Sequence, residues 1–464
     1  MPREAKIKAA IWLSGALLVL VTLAYVMNTL AQSPSGPQHA YYVDSSSGDD
    51  SSSGRSPSTA WRTIGRVNST ALTPGDTVYF RRGEIWRETL EPRNGGAPGR
   101  PVTFTAYGSG PPPIISGSDI VKGWSSSGAS IFHARSSKPN NVYVDGGPGW
   151  GLKRACCLPG ESCTQADLCA MGPMTAGSWY WNPATSDLYV WLDDGSTPAN
   201  HVVEAAVRIY GMNATADEGE KGNIVVDGLA FERTGGYGIY FYSNAEGGKG
   251  PVGVVIRNDT VRQTGTGQID GGEYYNAIHF DEHVELNTAP EFISNTIAYS
   301  GGHGNAINSQ MADGARLIGN RAEHFNHNGF DTKHSASVLV RGNSAHDASE
   351  ANGIYQEYCA NGMIEKNVIY NVSGSVPGRG SGIQIDAGTS GATIVGNSIS
   401  NVLTGIYLIT PATARDNVVS SAGHAVLEAN AGGDFENNRW GDSPIFYVNG
   451  RRETLAEGGV HLPR

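Results

Sequence analysis

From residue 238 onward one pattern recurs along the chain: a small residue, an apolar residue, then polar positions that change from repeat to repeat. The segments are Gly238-Ile239-Tyr240, Ala277-Ile278-His279, Ala306-Ile307-Asn308, Gly329-Phe330-Asp331, Gly353-Ile354-Tyr355, Gly382-Ile383-Gln384, Gly405-Ile406-Tyr407 and Ala425-Val426-Leu427. From Ile278 the apolar member returns after 29, 23, 24, 29, 23 and 20 residues. Asn295, Asn320, Asn343, Asn367, Asn397, Asn417 and Asn438 keep similar time, as in Leu317-Ile318-Gly319-Asn320. A period of this length marks a solenoid. Each coil offers a strand such as Ala392-Thr393-Ile394-Val395, a turn with Asn, a second short strand and the small-apolar strand. Three short strands per coil predict an all-β chain: a single-stranded right-handed parallel β-helix. The turn Asn is expected to take left-handed backbone and to bond to the Asn of the next coil.

The rest of the chain divides around this core. Residues 206–440 carry the repeats and 441–464 form a charged C-terminal tail. Residues 41–140 read as an N-terminal cap and first coils, with a helix from about Thr59 to Ala71 covering the end of the solenoid. Residues 141–205 interrupt the rhythm with a Cys-rich loop and an aromatic strand pair, Ser178-Trp179-Tyr180-Trp181 and Leu188-Tyr189-Val190-Trp191-Leu192. This predicts a hairpin insertion whose Trp179, Trp181 and Trp191 either stack on sugar rings or cover the solenoid's flank. Residues 32–40 are a Ser/Pro/Gly linker, and 1–31 carry Arg3, Lys6 and Lys8 before an apolar run, then Thr29-Leu30-Ala31. That reads as a signal peptide or a retained membrane anchor, and places the remainder outside the cytosol.

Composition adds three constraints. With 62 Gly and only 17% charged residues, many turns between short strands are expected. A net charge of -11 argues against a nucleic-acid partner, which needs a cationic face. Cys156, Cys157, Cys163 and Cys169 crowd into one loop, which in an oxidising compartment predicts two disulfides; adjacent Cys156 and Cys157 are poorly spaced for zinc. Cys359 reads as a small buried hydrophobe.

Strand alternation gives the candidate chemistry. If the repeated apolar residues point inward, the next residue and the third point outward. The first outward column is Tyr240, His279, Asn308, Asp331, Tyr355, Gln384, Tyr407; the second is Tyr242, Asp281, Gln310, Lys333, Glu357, Asp386, Ile409. Ionisable residues concentrate on the middle rungs, as in a substrate groove. Lys333 falls between Gln310 and Glu357, and reads either as a catalytic group or as the counter-charge of Asp331 and Glu357. Ser309, Thr332 and Gln356 are polar on the inward side, so these strands are expected either to bend or to carry a polar ladder.

Several stretches carry a resemblance: Tyr42-Val43-Asp44, Trp61-Arg62-Thr63-Ile64, Pro74-Gly75-Asp76-Thr77-Val78, Ile115-Ser116-Gly117 and the Gly177–Val190 hairpin. Together with the repeats they resemble the pectin-lyase-like superfamily of right-handed parallel β-helix proteins, in particular its exported polysaccharide lyases. The resemblance implies a β-elimination on an acidic, uronate-containing polysaccharide, assisted by Ca²⁺ and performed by a monomer. Carried onto this column, the base falls on Lys333, with Tyr355 or His303 protonating the leaving oxygen. The oxygen donors for Ca²⁺ are Asp281, Asp331, Glu357 and Asp386, and the cation would offset the carboxylates that otherwise favour a charged Lys. His279, Asn308, Gln310, Arg379 and Gln384 are the substrate-binding candidates. The alternatives are a glycoside hydrolase using Asp331 and Glu357, about 8 Å apart by strand geometry, a uronan C5-epimerase, and a non-catalytic glycan-binding surface protein.

Overall fold

The computed structural model describes residues 38–454 except 148, 162, 164–170, 217–220, 244–250, 266–274, 287–288, 303, 377, 430–431, 444 and 449–450. The N-terminal apolar run and the end of the tail lie outside the described residues. Among those described, no helix is long and apolar enough to cross a membrane.

The apolar residues of each repeat stack into a continuous column. Ile239, Ile278, Ile307, Phe330, Ile354, Ile383 and Ile406 are in parallel register and fully buried. One all-parallel sheet of twelve strands runs from Ala40–Val43 through Arg316–Ile318 to Asp434–Glu436. A second, bent sheet carries the other two legs of each coil, such as Arg321–Phe325 and Asn328–Lys333. Parallel strands joined by such crossovers wind right-handedly, so the chain is a right-handed parallel β-helix. In two late coils the two legs run as one strand, Ser398–Leu408 and Val418–Glu428. The bend in each coil is one residue in left-handed backbone, including Tyr299 (φ 58°), His324 (φ 53°), Asp347 (φ 54°), Asn371 (φ 54°) and Asn401 (φ 51°).

The asparagine ladder forms, with one difference from expectation. Each Oδ1 accepts both the backbone N–H and the amide of the preceding ladder member; Asn343, for example, donates to Asn367 Oδ1 at 2.9 and 3.0 Å. The left-handed residue is the one before the Asn, as at Ser294 (φ 55°), Gly319 (φ 65°) and Lys366 (φ 55°). The turn puts its strain there and leaves Asn free to point inward. Asp259 heads the ladder. It accepts from Leu229 N–H at 2.7 Å, and its backbone donates to Asn295 Oδ1 at 3.0 Å.

The N-terminal helix is Ile64–Ser69, shorter than the predicted span. Trp61 is drawn into strand-like pairing, with its N–H on Tyr42 O and its carbonyl accepting from Asp44. Ile64 and Val67 complete the core at that end.

The described residues between Ser118 and Ala206 form a mostly antiparallel module with a core of its own; Lys153–Cys157 pairs parallel with both its neighbours. Trp179 is 1% exposed within that core, so it stacks on no ligand; Trp181 lies half-buried with its indole N–H on Ser136 O. Ion pairs to the buried Glu204 fasten the module to the β-helix, beside a second buried carboxylate, Glu232. Arg233 lies 3.3 Å from Glu204 and 3.0 Å from Glu232, Arg87 donates to Glu204 at 2.6 Å, and Arg262 to Glu232 at 2.7 Å. Cys157 and Cys163 form a disulfide there, and Cys156 is disulfide-bonded too. Cys169 falls outside the described residues. Cys359 is free and buried.

Candidate active site

The two outward columns stand in the register the repeats imply. The first runs Tyr240, His279, Asn308, Asp331, Tyr355, Gln384, Tyr407 across neighbouring strands. The second runs Tyr242, Asp281, Gln310, Lys333, Glu357 and stops there: Asp386 and Ile409 each fall one residue past the paired stretch, which ends at Ile385 and Leu408. The polar inward ladder Ser309, Thr332, Gln356 also forms, buried beneath them.

One end of the face is aromatic. Tyr240 stacks on His279 with ring centres 4.9 Å apart, and Tyr210 stacks on Tyr237 at 5.5 Å. Burial drives the His279 pKa down to about 3. Its Nδ1 lies 2.7 Å from the Asn276 amide and 3.3 Å from that of Asn308, so it accepts and the ring is neutral.

The ionic centre lies at Lys333. Its ammonium is 3.6 Å from Asp331 Oδ2 and 3.7 Å from Glu357 Oε2, and 5.3 Å from the centre of the Tyr355 ring. The two carboxylates differ in setting. Glu357 is 27% exposed, whereas Asp331 is 0% exposed, one side chain below the groove under Lys333. Burial pushes the Asp331 carboxyl up to about 6, against the Lys333 charge and the amide bonds from Asn328 and Asn305. Asp331 Oδ1 is buried with no hydrogen-bond partner.

Beyond this centre, Tyr355 donates to Asp386 Oδ2 at 2.9 Å, and Gln384 Nε2 donates to the same oxygen at 2.7 Å. Burial and that carboxylate push the Tyr355 phenol far up, so it keeps its proton. Arg379 stands on the rim of a cavity beside Tyr355 and Gln384. His303 lies outside the described residues.

The strand order separates the four carboxylates named as calcium donors. Asp281 is two rungs from Lys333, roughly 10 Å along the column, and farther still from Asp386. Among the described residues no group of three or more His, Cys, Asp or Glu converges on one point. Asp331 and Asp386 already accept from amides and a phenol. These residues as placed do not fit a calcium cage, and no step is derived through a cation.

Four functional residues escaped the reading of the sequence. Asn276, Asn305, Asn328 and Asn352 form a second ladder at the start of the column strands, linked by bonds of 2.7, 3.0 and 3.1 Å. Three of them also hold the column residue three positions on: Asn276 holds His279, Asn305 faces Asn308 at 3.3 Å, and Asn328 donates to Asp331 at 2.9 Å. The signal was present, since Asn precedes the small-apolar pair in four successive repeats.

Residues 276–440 match the family described as right handed beta helix region. The chain is 33% identical over 132 residues to a lacto-N-biosidase from Bifidobacterium longum subsp. longum, a match covering 25% of this chain and 8% of that protein. Among solved structures, the complex of XylC with xylose superposes with TM-score 0.53 at 13% identity, covering 89% of this chain and 73% of that one. A lacto-N-biosidase from Eubacterium ramulus superposes with TM-score 0.41 at 12% identity, covering 87% and 68%.

Proposed function

Starting from a right-handed parallel β-helix protein with ionisable residues on one outward face, we propose that this chain is a carbohydrate-active enzyme, a glycoside hydrolase using Asp331 and Glu357. The observation that carries the reading is the pair itself. Two carboxylates from neighbouring rungs are held across one lysine, so that their facing oxygens are no more than about 7 Å apart, in settings that differ in burial. The buried Asp331 holds its proton up to a pH of about 6 and would donate it to the departing glycosidic oxygen. Glu357, open to the groove, would take a proton from the water whose oxygen bonds to the anomeric carbon as the glycosidic C–O bond breaks. A donor must touch that oxygen, so substrate has to move the Lys333 side chain, 24% exposed, off Asp331. The lacto-N-biosidase relative, whose name describes a glycosidase, agrees with this reading.

β-Elimination by Lys333 is less well supported. Its ammonium is committed to two carboxylates, which makes it the counter-charge of the pair rather than a free base. The disulfide of Cys157 and Cys163 supports an oxidising, extracytoplasmic location.

The test is the purified full chain against aryl glycosides and oligosaccharides, neutral and uronate-containing. New reducing ends without an ultraviolet-absorbing double bond are expected. Asp331→Asn and Glu357→Gln should each lower kcat/KM by about 10²–10⁴-fold, and a chelator should change nothing. An unsaturated product that survives Asp331→Asn and vanishes in Lys333→Ala would replace hydrolysis by elimination.

A further inference from the structure

The geometry points to a single-sugar subsite beside the carboxylate pair, built for an uncharged pyranose and set against a uronate. This rests on the glycosidase reading above. The site is a cavity of about 170 Å³ lined by, among others, Glu350, Asn352, Tyr355, Arg379, Gln384 and Asp386. That is room for several waters, and so for a small ligand such as one pyranose ring. Tyr355 is the register partner of Asp331, and Gln384 is the register partner of Tyr355, so the cavity begins one rung from the proposed acid.

Most polar groups around it are already spent. Asn352 gives its amide to Gly378 O at 3.0 Å and Asn328 Oδ1 at 3.1 Å, and accepts from Ser381 N–H at 3.1 Å. Glu350 Oε2 accepts the Ser375 hydroxyl at 2.9 Å. Asp386 takes Tyr355, Gln384 and the Ala387 N–H. Two groups remain. Gln384 is 4% exposed; its Nε2 is fixed on Asp386, which turns Oε1 away, buried and without a hydrogen-bond partner. Arg379 is exposed and its guanidinium has no ion pair among the described residues. A sugar hydroxyl donates to Gln384 Oε1, and the guanidinium donates to a hydroxyl or ring oxygen. A buried amide oxygen left dry is costly, so this contact carries selectivity.

Charge decides the ligand class. Glu350 and Asp386 bring two carboxylates, against the guanidinium of Arg379 and the imidazole of His327. A uronate would add a third anion to a small cavity, which like-charge repulsion opposes. Hydroxyls suit carboxylate and amide acceptors, and a neutral ring brings no such cost.

The probes are glucose, galactose and glucuronate, titrated by ligand-observed NMR into the full chain carrying Glu357→Gln, which blocks turnover. At least one neutral hexose should bind, and at least about 10-fold more tightly than glucuronate. Gln384→Leu on the same background should weaken the neutral sugar about 10-fold or more, and Gln384→Glu should weaken it as well, with the thermal melt of each variant recorded as a folding control. Glucuronate binding as tightly as the hexoses, or neutral binding unchanged in either folded Gln384 variant, would overturn the subsite. Sugar binding with the expected selectivity in a chain that hydrolyses nothing would leave the subsite standing and remove the hydrolase. Hydrolysis with a KM unmoved by Gln384→Leu would do the reverse.

Discussion

Asn328 and Asp331 meet within one strand: the Asn328 amide donates to Asp331 Oδ2 at 2.9 Å, and that oxygen also takes the Asn305 amide from the coil before, at 2.8 Å. Both bonds favour the ionised carboxylate and work against its burial. Asn328→Leu should therefore raise the Asp331 pKa above its value of about 6. The limb of the kcat/KM–pH profile set by the acid should move to higher pH by about one unit. A limb that stays put or moves to lower pH removes Asp331 from the role of proton donor.

Asp331 should also cost stability. Its folded pKa of about 6 lies above the unfolded value, so the folded state binds the proton more tightly. Stability from this group is full below about pH 4, falls as pH rises to about 6, and is flat beyond. Asp331→Asn should stabilise the protein by about 3 kcal/mol at pH 7.5 and by almost nothing at pH 3. Thermal or urea melts at the two pH values measure it, and equal effects at both would sink the linkage.

The same sign applies to Asp259 at the head of the first ladder. Burial raises its carboxyl well above the ordinary range, and its Oδ2 is buried with no hydrogen-bond partner. In every later coil that place belongs to an amide nitrogen that donates to a main-chain carbonyl, as Asn295 does to Ile256 O at 2.9 Å. Asp259→Asn supplies the missing donor. The melting temperature should rise at neutral pH, with the gain shrinking toward about pH 3, where the acid is protonated even when unfolded.

Within the ladder the opposite is expected. Asn367 donates to Val340 O and Asn397 Oδ1 and accepts two bonds from Asn343. Asn367→Leu leaves a buried carbonyl and two donors without partners and should destabilise by about 2–5 kcal/mol. Asn401, exposed at the outer bend, should tolerate Asn401→Gly within about 0.5 kcal/mol. Comparable losses at the two sites, read from denaturant midpoints, would show that the ladder adds nothing special.

The fold was legible because each coil repeats the same local decision. Ile278, Ile307, Ile354 and Ile383 declare the inward side, and strand alternation then fixes both outward columns. The spacing of Asn320, Asn343 and Asn367 declares the ladder. What alternation cannot show is depth. Asp331 and Asn308 point outward by register yet are buried, because Asn305, Asn328 and the long Lys333 side chain close over them. Nor does the pattern reveal that Tyr355 spends its hydroxyl on Asp386, a contact between side chains of unequal reach on neighbouring rungs. The same blindness affects Trp179: an alternating aromatic strand looks equally suited to sugars and to a core, and only the antiparallel partners around it decide.

The last described strands turn the winding around. Ile445–Val448 continues parallel to Val418–Glu428, but Arg451–Thr454 pairs with it antiparallel. A strand running the other way offers its N–H and C=O groups in the wrong order for another parallel coil. On this wall another molecule brought end to end finds no matching thread to continue, whereas among the described residues Asp434–Glu436 still stands at the edge of the twelve-stranded sheet.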